Sequence, residues 1–239
     1  MRIAPRIHRI GNGLINSYLV EESGEVTIID AGLPAYWGDL PAELEAMGRR
    51  LDDVRAIVLT HGHSDHIGFA ERARRERGLP VSVHELDAPL ARGEVPNPAK
   101  GGSVRLLPLI RFLLYGMAHG ALRTKNLSEV ATYGDGATLD VPGAPRVILV
   151  PGHTPGTAAL HVPSHDALFA GDSLATVAVT TGRTGPMIAP FTADPVEALA
   201  SLTRLEGIQA GFLLPGHGRP WTGGVGEAIA RIRQAAAGR

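Results

Sequence analysis

The stretch Ala56-Ile57-Val58-Leu59-Thr60-His61-Gly62-His63-Ser64-Asp65-His66 decides the reading of this 239-residue chain. Its apolar first part is a buried strand by pattern, and a turn follows with three histidines and an aspartate in six residues. His61 and His63, two apart on an extended turn, point the same way and can grip one cation. Asp65 and His66 lie where the chain enters a helix expected over 67–77, and can aim at a second. With 10 histidines and 11 aspartates in the chain, a His-x-His-x-Asp-His string arises by chance about once in a thousand such chains. A competing structural reading makes Ser64 or Asp65 a helix N-cap and leaves the histidines on the surface.

Four other loops follow apolar runs in the same manner. Thr27–Ile29 leads to Asp30, and Val147–Val150 to Pro151-Gly152-His153-Thr154-Pro155-Gly156. Leu168–Ala170 leads to Gly171-Asp172, and Phe212–Leu214 to Pro215-Gly216-His217-Gly218. Strands whose C-terminal ends share one edge would bring all these side chains together, with Gly and Pro supplying the tight turns. His153 then completes a three-histidine site with His61 and His63. Asp172 offers two oxygens, as bridging two cations requires, and His217 completes the second set. Imidazoles with carboxylates suit zinc, iron or manganese.

Around these loops the pattern predicts further strands over 15–20, 81–83, 138–141 and 158–162, and helices over 40–47, 195–205 and 225–237. Asp194 is the expected N-cap of the helix that opens with Pro195. Residues 94–129 break the rhythm. A Pro/Gly-rich lead-in precedes the apolar segment 106–117, which reads as a helical insertion that is a plain structural helix, a substrate lid or a partner interface. No linker or repeat divides residues 1–239, so one α/β domain carrying that insertion is expected.

Composition excludes several functions. The absence of cysteine removes disulfides, thiolate metal sites and Cys nucleophiles. A net charge of −1 gives no basic field for nucleic acid. Residues 1–20 lack the apolar core of a signal peptide, and 106–118 is too short to span a bilayer. A cytoplasmic protein acting on a small molecule, with no nucleic-acid or membrane partner, is the expectation. The apolar insertion makes a homodimer compatible with it.

In order, Thr-His-x-His-x-Asp-His, Gly-His-Thr-Pro-Gly, Gly-Asp-Ser and Pro-Gly-His resemble the metallo-β-lactamase-fold superfamily from Asp30 to His217. The resemblance implies an αβ/βα sandwich, two mixed sheets face to face with helices outside. It implies a binuclear centre, most often zinc, with His61, His63 and His153 on the first ion, Asp65, His66 and His217 on the second, and Asp172 bridging. Asp30 matches an early aspartate that supports the ligands rather than binding metal. Two such ions would share a hydroxide able to attack a carbonyl, with Asp65 orienting it or relaying a proton. The Gly-Asp-Ser context resembles thioesterases and lactonases such as glyoxalase II and acyl-homoserine lactonase, so a thioester, lactone or small ester is the expected substrate. An apolar lid would favour an acyl part, with Leu113, Leu114 and Tyr115 as candidate substrate contacts. Tyr115, Tyr133 and His119 are the candidates for the leaving-group acid. Two alternatives are a mononuclear iron enzyme similar to persulfide dioxygenases and a non-catalytic metal-binding scaffold.

Overall fold

Neighbouring residues in the apolar runs face opposite layers, and this alternation builds the fold. The computed structural model describes residues 1–238. Strands β1 (Arg2–Ala4), β2 (Ile7–Gly11), β3 (Asn16–Glu22) and β4 (Glu25–Ile29) form an antiparallel meander. It continues in parallel through β5 (Val54–Val58), β6 (Val81–His84) and β7 (Ala131–Tyr133) to give a seven-stranded mixed sheet. The second sheet contains β8 (Arg146–Leu149), β9 (Ala158–Val162) and β10 (Ala167–Gly171). A ribbon of β11 (Ala175–Val177) and β12 (Thr184–Met187) intervenes before β13 (Phe212–Pro215), which lies parallel to β10 at the end of that sheet.

Tyr18, Val20, Ile29 and Val58 from the first sheet meet Val147, Leu160, Phe169 and Leu214 from the second. Their neighbours turn outward. Leu19, Ile28 and Ile57 pack under helices α1 (Tyr36–Glu45), α2 (Ala70–Arg77) and α3 (Ala88–Ala91). Ile148, Leu168 and Leu213 pack under α5 (Pro195–Ser201) and α6 (Val225–Ala237). The layers are therefore αβ/βα, and strands covered on both faces read as continuous apolar runs. Asp194 caps α5 by accepting from Val196 N and Glu197 N at 3.0 and 2.9 Å.

Some expected elements differ. The helix expected from 67 starts at Ala70, because the preceding residues form the turns that carry the histidines. The helix expected over 195–205 is α5 followed by a tighter 3-10 turn, Leu202–Leu205. Residues 138–141 form no strand: their amides serve local turns, such as Leu139 N to Pro145 O at 3.0 Å, and Thr138 makes one isolated bridge to Arg146. The β1–β2 hairpin and the β11–β12 ribbon have no counterpart in the pattern reading.

Within the insertion, α4 (Leu106–Ala118) is the regular element. One side faces the body through Phe112, Tyr115 and Gly116, while Leu106, Leu107 and Leu114 are exposed. Among the described residues no helix is long and apolar enough to cross a membrane.

Candidate metal centre

The ligand-bearing loops after β5, β8, β10 and β13 meet at one edge of the sandwich, and β4 ends there at Asp30. His61, His63, His66, His153, Asp172 and His217 are buried, so the surface-histidine reading is excluded. Neither Ser64 nor Asp65 caps a helix, since α2 has Phe69 at its N-cap position. Ligand atoms of His61, His63 and His153 lie within 4.8 Å of one another, as do those of Asp65, His66 and His217. Asp172 faces both sets: Oδ2 is 3.1 Å from His217 Nε2 and 3.4 Å from His153 Nε2, and Oδ1 is 3.6 Å from His66 Nε2.

Hydrogen-bond direction fixes which imidazole nitrogens are free. Thr60 donates its hydroxyl proton to Asp30 Oδ2 at 2.8 Å, so its oxygen accepts from His61 Nδ1 at 3.1 Å. Thr192 donates to the Ala189 carbonyl at 2.7 Å and accepts from His153 Nδ1 at 3.1 Å. His66 Nδ1 donates to Asp30 Oδ2 at 2.9 Å, and His217 Nδ1 donates to the Leu14 carbonyl. Four rings are thus held with Nε2 turned inward, the arrangement in which an outer partner orients a metal-binding imidazole. His63 turns Nδ1 inward instead, 2.9 Å from His153 Nε2. His61 Nε2, His66 Nε2 and Asp172 Oδ1 are buried with no hydrogen-bond partner. Buried polar atoms left this way are costly, and a cation bound at these two sets would satisfy them. The residues present fit the group.

Electrostatics separates the sets. Burial, with His66, His63 and His153 nearby, holds His61 well below the usual imidazole range. Burial lowers His63 and takes His153 down to about 3. These rings are held neutral. At His66 the burial penalty is outweighed by Asp30 and Asp172, which lift it to about 10. His217 is raised in the same way against burial by Asp172 and Asp65. Both rings have already committed Nδ1 as a donor, so the second set favours positive charge at Nε2, where a metal cation would sit. Burial alone would raise Asp172, but His217, His66 and His153 hold it well below the carboxylate range.

Beside the ligands, a cavity of about 280 Å³ has His63, Ser64 and Asp65 on one wall. The rest of the lining is mostly apolar and includes Ile15, Leu33, Phe112, Leu113, Met117 and Phe191, with Asn97 as a polar member. Phe112 lies edge-on to His217, with ring centroids 6.0 Å apart, and stacks on Phe191 at 6.3 Å. Phe191 adopts φ +63°, a left-handed conformation rare for a bulky residue and typical of functional loops. The next residue is Thr192, the partner of His153.

Of the three insertion residues singled out from sequence, Leu113 lines this cavity. Leu114, one helical step round, does not line it, although both leucines are about half exposed. Tyr115 turns towards α1, its hydroxyl 2.9 Å from that of Tyr36, which itself bonds the Ile15 carbonyl at 2.9 Å. His119 Nδ1 donates to the Tyr115 carbonyl at 2.8 Å, and the buried Tyr133 hydroxyl donates to the Leu59 carbonyl. None of these three acid candidates lines the cavity. Sequence reasoning missed Thr192, Phe112 and Phe191. For Thr60, its place directly before His61 was the available signal.

Comparison with known proteins agrees with this geometry. The profile of the metallo-beta-lactamase superfamily matches residues 10–217. The chain is 30% identical over 238 residues to the probable metallo-hydrolase YflN of Bacillus subtilis, covering 92% of this chain and 86% of that protein. Among solved structures it is similar to the metallo-beta-lactamase family protein TTHA1429 of Thermus thermophilus, with TM-score 0.67, 26% identity and coverage of 97% and 80%. It is also similar to TTHA1623, solved in a di-iron-bound form, with TM-score 0.63, 29% identity and coverage of 94% and 96%. With its layers and its relatives in agreement, the chain belongs to the metallo-beta-lactamase superfamily and is a metallohydrolase of that fold.

Proposed function

We propose that this metallohydrolase cleaves a thioester, lactone or small ester with an apolar acyl part, using two divalent cations, zinc foremost and iron or manganese as alternatives. The observation that carries the reading is the apolar cavity opening directly on the histidine and aspartate sets. His61, His63 and His153 would hold one ion, Asp65, His66 and His217 the other, and Asp172 would face both. When bound, such ions supply Lewis acidity and bring the acidity of water into the neutral range.

The chain's own residues then divide the work. Asp30, Thr60, Thr192 and the Leu14 carbonyl keep the imidazoles aimed inward. Phe112 and Phe191 exclude water on the substrate side and, with Leu113 and Met117, bind the acyl chain. Asp65 is half-buried, lines the cavity, and has Oδ2 3.5 Å from His217 Nε2. Its carboxylate is the group placed to take a proton and pass it to the leaving group.

The test is metal content by elemental analysis on protein purified without added metal, followed by a panel of acyl thioesters, lactones and phosphodiesters. Two ions per chain and turnover rising with acyl length are expected. No turnover of any acyl substrate would refute the reading. His61, His66 and Asp172 also bring ligand atoms within 4.8 Å of one another. That two-His, one-Asp group favours a second reading, a single-iron oxygenase. About one iron per chain and oxygen uptake with a persulfide would establish it instead.

A further inference from the structure

Asp87 stands outside every motif read from the sequence. It ends the short 3-10 turn Glu85–Asp87 after β6 and is fully buried. Its carboxylate accepts three hydrogen bonds, all from the two loops that carry His61, His63 and His153. Oδ2 accepts from Gly62 N and from the Thr154 hydroxyl, each at 2.7 Å, and Oδ1 accepts from Gly156 N at 2.7 Å. Gly62 lies between His61 and His63, while Thr154 and Gly156 follow His153. The second loop is itself ordered towards Asp87. Thr157 Oγ1 accepts from Thr154 N at 2.9 Å and donates to Thr154 Oγ1 at 2.7 Å, because the Thr154 proton is committed to the carboxylate.

Backbone packing gives an independent sign of the same junction. A Cβ on Gly62 would stand 2.9 Å from Ala91 N and 3.1 Å from the Asp87 carbonyl. One on Gly156 would stand 2.6 Å from Asp87 N and 2.7 Å from its Oδ1. Both loops therefore lie in backbone contact with the 87–91 segment, and neither tolerates a side chain there. The hydrogen bonds of Asp87 reach neither Asp65, His66 nor His217: His66 pairs with Asp30, His217 with Asp172 and the Leu14 carbonyl, and Asp65 faces His217.

We propose that Asp87 is the positioning residue of the first ligand set, pinning the 61–63 and 153–156 turns at the separation where their three imidazoles meet. The inference rests on reading that set as a metal site. Its signature is selectivity: loss of Asp87 weakens the first set and spares the second. Outer partners of metal ligands are worth about 10- to 100-fold in metal affinity.

The experiment is zinc and cobalt titration against a chromophoric chelator, with and without Asp87→Asn, in two backgrounds. His217→Ala leaves the first set complete, and His153→Ala leaves the second complete. Asp87→Asn keeps the shape but replaces one acceptor by an N–H that faces another donor. The expected result is an affinity loss of about 10- to 100-fold in the first background and none in the second. Equal loss in both, or none in the first, would overturn the proposal. Circular dichroism of the metal-free variants separates this from unfolding. If Asp87→Asn does not fold, Thr154→Val removes one of the three donors, and a several-fold loss confined to the first set is expected. No such selectivity in Thr154→Val overturns the proposal as well. Zinc uptake by neither background, with Asp87 intact, overturns the metal reading itself. Two intact sites indifferent to Asp87 would overturn this inference alone.

Discussion

Asp30 and His66 share a 2.9 Å hydrogen bond although one follows β4 and the other lies in the turn after β5. The same carboxylate accepts Thr60 N at 2.7 Å and the Thr60 hydroxyl at 2.8 Å, and Thr60 in turn accepts the Nδ1 proton of His61. One carboxylate thus orients a histidine in each set. The left-handed backbone of Asp30, φ +59°, and the bond from the Ser17 hydroxyl to its carbonyl at 2.6 Å hold it in that position.

Thr60→Val removes the hydroxyl at nearly constant shape, leaving His61 Nδ1 without its acceptor. Zinc affinity of the first set should fall about tenfold or more, with the far-UV circular dichroism unchanged. Chelator competition measures this, and an unaltered affinity would mean that the relay does not orient His61.

Leu113 and Leu114 are adjacent in sequence and both half exposed, but only Leu113 lines the cavity beside the histidines. Leu113→Asp should raise KM for an octanoyl thioester about threefold or more relative to an acetyl one, as expected for losing a leucine contact at a side chain 51% exposed without substrate. Leu114→Asp should leave that ratio unchanged. Equal effects of the two substitutions would remove α4 from the acyl site.

Glu71 ties the end of the insertion to α2, accepting from Arg74 Nε at 3.0 Å, Ser128 N at 3.2 Å and the Ser128 hydroxyl at 2.8 Å. Burial would raise its pKa, but Arg74 and Ser128 hold it below the ordinary 4.5. A carboxyl depressed in the folded state stabilises at pH above its unfolded value, and that contribution is lost as pH falls through the folded one. Thermal melts should therefore show Glu71→Gln less stable than the parent at pH 7, with the gap closing below about pH 4. A gap independent of pH would exclude the charge as its source.

Tyr133 is a structural group, so Tyr133→Phe should cost about 1–3 kcal/mol by leaving the Leu59 carbonyl unsatisfied. Chemical denaturation measures this. The kcat of the Phe variant should match that of the parent, whereas a large loss of kcat would restore Tyr133 as a proton donor.

The clustering of these histidines and aspartates was readable because the two residue types are rare enough that their spacing stands out, and because each follows an apolar strand. Asp87 was not readable. Its partners lie 25, 67 and 69 positions away, two of them are backbone amides, and a lone aspartate before Ala88-Pro89 looks like any helix start. The same limit explains the β1–β2 hairpin, where Pro5 and Arg6 interrupt a short pattern whose strands are fixed by pairing with β3. Residues 138–141 fail in the opposite sense. Their alternation suits a strand, but Pro142-Gly143 and Ala144 at φ +42° turn the chain, so only one bridge forms. Phe112 and Phe191 belong to distant segments, and only the folded chain stacks them.

The two sets are also ordered in time. Translation delivers His61, His63 and His153 well before His217, whose partner Leu14 emerged 203 positions earlier. A nascent chain stalled before β13 would hold every residue of one set and lack a member of the other. The parallel closure of β13 on β10 is therefore the step that brings His217 to the other histidines and completes the second set.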